Sequence, residues 1–215
     1  ERTDYLPSIT DFRAGAPFLG MYGYYSRDPV FAEAVREAAG LGYQFAAYEM
    51  RDDQAAAPDA DMRTRVRVRE EAQARNFVRD VLETRPDARV FVLVGYGHAA
   101  EADERVLMFA AHLKRMSGID PLTIEQSGNW PAPDPANDAS HVAAVLDRFQ
   151  PVSPISVQLD DQVFAAPDFV GRVDMSVFHP RRPDVSGRPG WLAADRGRRR
   201  FDIDVPTFEG PALIQ

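Results

Sequence analysis

The stretch Val90-Phe91-Val92-Leu93-Val94, followed by Gly95-Tyr96-Gly97-His98, constrains this chain more than any other segment. Five consecutive apolar residues match a strand covered on both faces, and such strands belong to sheets with helices packed against them. Sheets of that kind bind ligands beyond the carboxyl ends of their strands. His98 falls just past such an end, which makes it the first candidate for chemistry.

The flanking segments supply the expected helices. Asp28 is a candidate N-cap with Pro29 at the first helical position, and Val30, Phe31, Ala34, Val35 and Ala38 recur at helical spacing until Gly40-Leu41-Gly42. Tyr43–Tyr48 predicts a strand that ends at Glu49, and the polar, alanine-rich residues 52–61 predict a surface loop. A long helix follows over about 65–83, built on Val68, Ala72, Phe77, Val78, Val81 and Leu82. A second, over about 100–116, rests on Val106, Phe109, Ala110 and Leu113 and stops at Gly118. Leu122–Ile124 reads as a short strand leading to Glu125 and Gln126, and Asp138 or Ser140 caps a helix carrying Val142, Val145, Leu146 and Phe149. Strand-like runs then crowd together at Ile155–Leu159, Val173–Phe178, Phe201–Val205 and Ala212–Ile214. With 215 residues, 45% of them apolar, the chain has enough material for one full core. The expectation is a single α/β domain over 1–215: a mostly parallel sheet flanked by helices, with antiparallel or edge strands added in the last third.

Charge removes several classes of function. A net charge of −8 opposes nucleic-acid binding, which needs a dominant basic surface. The basic cluster Arg196–Arg200 is broken by Gly197 and followed by Asp202 and Asp204, so it reads as a solvated turn. The absence of cysteine excludes disulfides, thiolate nucleophiles and cysteine zinc sites. No apolar run approaches the roughly 20 residues that cross a bilayer. P-loop, Gly-x-Ser-x-Gly, His-Glu-x-x-His and dinucleotide-binding patterns are all missing, which weakens the NTPase, serine-hydrolase, zinc-peptidase and nicotinamide readings. The sequence begins at Glu1 without methionine, which fits a cytoplasmic protein or, after N-terminal processing, a periplasmic one.

Around His98 the candidate chemistry is acid–base. Glu49 should project from a strand end, where a carboxylate can orient an imidazole, raise its basicity or share a metal with it. It can equally pair with Arg51. Arg69 and Glu70 open a helix; the arginine could stabilise an oxyanion and the glutamate serve as base or ligand, although most such charges are solvated. His112 reads as a boundary residue of an amphipathic helix. Gln126 and His179 follow strand-like runs and could line a pocket. Tyr22, Tyr24, Tyr25 and Tyr96 could form a wall for a planar ligand, or simply pack in the core.

The combination of Tyr48-Glu49, Arg69-Glu70-x-x-x-Ala74-x-Asn76 and Gly95-x-x-His98 resembles the erythromycin esterase-like, ChaN-like and TIKI/TraB superfamily over about residues 22–126. The resemblance implies an α/β fold with functional groups gathered at one sheet edge. Gly95 and His98 then match a Gly-x-x-His motif, Glu49 a strand-end glutamate, and Arg69 with Glu70 an Arg-Glu helix start, while Gln73 stands where many relatives carry methionine. The superfamily's earlier Gly-Glu-x-x-His element has no counterpart before Tyr43. That departure implies either a fragment completed by an upstream segment or another subunit, or a branch lacking half the site. Activities across the superfamily diverge, so fold does not decide function. The leading expectation is a hydrolase acting on a small molecule, in which His98, supported by Glu49 or Glu70, activates water and Arg69 steadies negative charge. A divalent metal on His98 and Glu49 is an open variant. The alternatives are haem or another planar ligand bound through His98 or a tyrosine, and a catalytically inactive domain.

Overall fold

The computed structural model describes residues 29–102 and 106–182, together with the backbone of 184–185 and 188–189; the expected strands at 201–205 and 212–214 lie outside them. Helix α1 (Pro29–Gly40) ends where expected, with Gly42 at φ 86°, a left-handed geometry that glycine adopts without strain. Helix α2 (Met62–Phe77) starts three residues earlier than its apolar spacing suggests, because the Asp61 side chain accepts the Thr64 N–H at 2.7 Å and caps it. It runs on through a π-type turn, Val78–Leu82. Helix α3 (Phe109–Ser117) ends at Gly118, φ 71°, but begins nine residues later than its sequence periodicity predicts. Helix α4 (Ser140–Phe149) has Ala139 at its N-cap without a side-chain bond, since Asp138 is turned to the Ala132 N–H and to Arg181 instead.

A small mixed sheet accompanies the helices. Strand β1 (Ile124–Glu125) pairs parallel with β5 (Met175–Phe178), whose other edge takes β2 (Ile155–Ser156) antiparallel, so the order is β1-β5-β2. Two hairpins, β3 (Gln158–Leu159) with β4 (Gln162–Val163) and β6 (Asp184–Val185) with β7 (Arg188–Pro189), complete the described strands. The runs 43–48 and 90–94 are not helical and form no ladder with another described strand. Nor is the second run covered on both sides: Phe91 and Leu93 are 73% and 54% exposed, whereas Val92 and Val94 pack inward.

What those two runs do is converge on the helix pair. Ala74, Phe77 and Val81 of α2 and its π-type turn, with Phe109 and Leu113 of α3, form the core cluster, and Tyr48, Val92 and Val94 lie against it. The rings of Tyr48, Phe77 and Phe109 sit 5.1–5.6 Å apart, two of the three pairs edge-to-face. Burying each ring contributes roughly 2–3 kcal/mol, and each edge contact about 1 kcal/mol more. The backbone entering Glu49 and the backbone leading to His98 are thus fixed against one pair of helices. Among the described residues no helix is long and apolar enough to cross a membrane.

Candidate functional site

Helix α2 buries a face that is polar as well as apolar: Glu70, Gln73 and Asn76 are all at most 5% exposed. Each meets a named partner, which explains how such groups survive burial. The Asn76 amide donates to the Glu49 carbonyl at 2.9 Å and exchanges hydrogen bonds with Gln54, both at 2.9 Å. The Gln73 amide donates to Glu49 Oε1 at 2.9 Å. Residues 48–54 are in this way tied to the C-terminal half of α2.

Glu49 is saturated. Its Oε1 accepts from Arg69 Nε at 3.0 Å, from Gln73 and from the Met50 N–H at 2.8 Å, while Oε2 accepts from Arg69 Nη2 at 2.6 Å. Burial alone would raise its pKa, but the two-pronged bond from Arg69, the Met50 N–H and Gln73 together hold the carboxyl below the ordinary glutamate range. Glu49 therefore pairs with Arg69, and neither with Arg51, which bonds Asp80 at 2.9 Å, nor with His98.

The partner of His98 is Glu70. Gly95-Tyr96-Gly97-His98 closes into a 3-10 turn over Tyr96–Ala99, with the His98 N–H bonded to the Gly95 carbonyl at 2.9 Å. His98 Nδ1 then lies 2.7 Å from Glu70 Oε2. The ring passes over Gly95, where a Cβ would stand 3.3 Å from His98 Cδ2, so the glycine leaves the imidazole its room. Glu70 is fully buried, and the same Oε2 accepts the Phe109 N–H at 2.9 Å. A carboxylate on α2 thus caps α3 from outside, where the helix dipole favours negative charge. It also decides why α3 starts at Phe109. Arg69 and Glu70 are adjacent on α2, about 100° apart around its axis, so one faces Glu49 and the other His98.

The remaining candidates gather elsewhere. His179 Nε2–H donates to the Gln126 backbone carbonyl at 3.0 Å, and its ring stacks on Trp130 at 3.7 Å and 6°. Burial pushes the His179 imidazole pKa down. The Gln126 side chain is exposed. Beside them the buried Glu125 receives Ser127 and Gly128 backbone N–H groups, the Ser127 hydroxyl at 2.7 Å and the Asn129 amide at 3.2 Å, and Asn129 Oδ1 faces His141 Nε2 at 3.0 Å. In the sequence Asn129 and Trp130 carry no signal of their own and His141 reads only as a residue near a helix start, although a glutamate followed by Ser-Gly-Asn is a turn able to fold back on its own carboxylate. This cluster lies past the carboxyl ends of β1 and β5, and no hydrogen bond or ion pair among the described residues joins it to His98. Tyr22, Tyr24 and Tyr25 fall outside the described residues, as does the side chain of Tyr96, whose backbone belongs to the His98 turn. A cavity of about 460 Å³ lies along α4, lined by Asp138, Leu146, Asp147 and Arg181 among others, and none of the candidate residues borders it.

A shared metal on His98 and Glu49 does not fit this donor set. Glu49 spends both oxygens on Arg69, Gln73 and Met50, and no group of three or more histidine or carboxylate side chains among the described residues converges as an ion site. Compared with protein-family models, with curated proteins and with solved structures, the chain matches none.

Proposed function

We propose that the chain is a hydrolase in which His98 acts as general base and Glu70 orients it, the reading implied by the likeness to the erythromycin esterase-like, ChaN-like and TIKI/TraB superfamily. One observation carries it: the 2.7 Å contact between His98 Nδ1 and a carboxylate oxygen that is fully buried. Catalytic histidines use such a carboxylate to fix their tautomer and orientation. With Nδ1–H donated to Glu70, the lone pair sits on Nε2. The side chain is 26% exposed, so water can reach it.

In this mechanism Nε2 takes a proton from a water molecule as its oxygen attacks an ester-type carbonyl, and the ring later returns that proton to the departing alkoxide. The imidazolium formed between the two steps is steadied by Glu70. Arg69, held by both Glu49 oxygens one position along α2, contributes positive potential for the developing oxyanion. The finer architecture, a mostly parallel sheet with 43–48 and 90–94 among its strands, belongs to the same reading. Its support is that both runs lie on the core cluster and lead directly into Glu49 and the His98 turn.

The test is turnover of a panel of small esters by the wild-type chain and by His98→Ala and His98→Gln, with and without chelator. Loss of at least a hundredfold in both variants, with unchanged circular dichroism and no effect of chelator, supports the reading; turnover unchanged by either substitution rejects it.

A further inference from the structure

The carboxylate that serves His98 has a second oxygen, and nothing bonds to it. Glu70 Oε1 is buried without a hydrogen-bond partner, and so is His112 Nε2. Buried acceptors left bare cost roughly 1–3 kcal/mol each, which makes two around one helix pair an observation to be explained. Both belong to the packed pair α2 and α3. Glu70 Oε2 holds the Phe109 N–H at the first residue of α3, and His112 lies three residues on, on the same helix face. Side chains on a helix lean toward its N-terminus, so the imidazole of His112 leans toward the turn that Glu70 caps.

The tautomer of His112 follows from its contacts. The Leu107 carbonyl engages the ring, and since Nε2 has no partner, the nitrogen it engages is Nδ1. Nδ1 carries the hydrogen and Nε2 is a bare lone pair. Burial disfavours the charged ring, an effect partly offset by Glu71 and Glu70 and reinforced by Arg115, the charged groups that face it. The helix pair thus buries two bare acceptors, a carboxylate oxygen on α2 and an imidazole lone pair on α3. A single group with two hydrogens to give would satisfy both.

We propose that His112 is a positioning residue of the same centre, sharing the Glu70 carboxylate with His98 through a buried water that donates one hydrogen to Glu70 Oε1 and the other to His112 Nε2. The polar partners are of the number and kind that retain an internal water. Glu70 is then held from both sides, by His98 and Phe109 on one oxygen and by the water on the other. The role of His112 in catalysis rests on the hydrolase reading; its hydrogen bonding does not.

The experiment is nitrogen-15 NMR of the full chain labelled at histidine, read at the rings rather than through activity. In the wild type, His112 Nε2 should resonate as an unprotonated nitrogen that accepts a hydrogen bond, and the His112 ring proton should show a cross-peak to a slowly exchanging water. A shift typical of an unbonded lone pair, or a proton on Nε2, overturns the proposal without any variant having to fold. His112→Phe, which removes the acceptor, should turn His98 from a dominant Nδ1–H tautomer into a mixture, and His112→Gln, which can donate to Glu70 directly, should restore it. A folded His112→Phe protein with the His98 tautomer intact also refutes it. Should no ester turn over while the ring signals come out as stated, the hydrolase reading fails and this one stands.

Discussion

Replacing Glu70 with alanine is the most discriminating perturbation of this fold, because one oxygen of that side chain serves both His98 and the start of α3. Alanine leaves the Phe109 N–H buried without an acceptor, at a cost of roughly 1–3 kcal/mol. It removes one buried methylene, about 0.8 kcal/mol. Against this, it relieves the desolvation of Glu70 Oε1, worth about 1 kcal/mol. The balance is a destabilisation of about 1–3 kcal/mol, which for a chain of this size lowers the melting temperature by roughly 3–10 °C. Glu49→Ala is the control. It also ends several hydrogen bonds, but Arg69 is 41% exposed and can turn to solvent, so the loss should stay near 1 kcal/mol. Urea denaturation gives both numbers, and amide exchange locates them: the first turn of α3 should lose protection in Glu70→Ala and keep it in Glu49→Ala. Equal destabilisation by the two variants, or an unchanged exchange rate at Phe109, would show that the cap from α2 does not define α3.

Three further outcomes follow from the same geometry. Because the pKa of Glu49 is lowered on folding, its pairing stabilises the protein fully above the unfolded value of 4.5 and is lost as pH falls through the lower folded value; Glu49→Gln should flatten stability against pH in that acidic window, and an unaltered profile counts against the pair. His112 and His179 are depressed from 6.5 by burial, so the unfolded chain binds protons first and stability should decline as pH drops below 6.5. His179→Gln should lessen that decline in chemical denaturation run at successive pH values, and the same slope in the variant would contradict the assignment. A Cβ at Gly128 would stand 3.0 Å from the Phe169 ring and 3.4 Å from Glu125 Oε2; Gly128→Ala should therefore cost about 1–3 kcal/mol, and a neutral effect in a thermal melt would show that the turn yields easily.

Much of the helical frame was legible because its signals are local. Gly42 and Gly118 mark ends that the structure respects, whereas the Asp61 cap lies inside the stretch whose composition reads as a loop, and the spacing of Ala72, Phe77 and Val81 gives the inward face of α2 and its π-type turn. The run 90–94 was misleading for a definite reason: when every residue is apolar, period-2 alternation is invisible, and only the fold separates inward Val92 and Val94 from outward Phe91 and Leu93. The start of α3 was hidden because its cap comes from Glu70, distant in sequence. At the site, the residues Glu49, Arg69, Glu70 and His98 could be named from the motif, but their pairing could not. Adjacent positions on a helix point in directions about 100° apart, and a shift of one residue in helix phase would exchange the partners of Arg69 and Glu70. The cluster of Glu125, Asn129 and His141 eluded the reading because its bonds return across a loop whose path composition does not reveal.

The two bonds on Glu70 Oε2 have a topological meaning beyond the site itself. His98 and Phe109 are the two ends of one connecting segment, and both are fastened to a single atom. The segment is a bight drawn closed at its neck. Lengthening a closed loop is inexpensive, about 0.6 kcal/mol for each doubling, so sequence inserted between 98 and 109 should leave the neck in place. A chain so built can vary that stretch, and whatever it touches, while the imidazole at its base stays put.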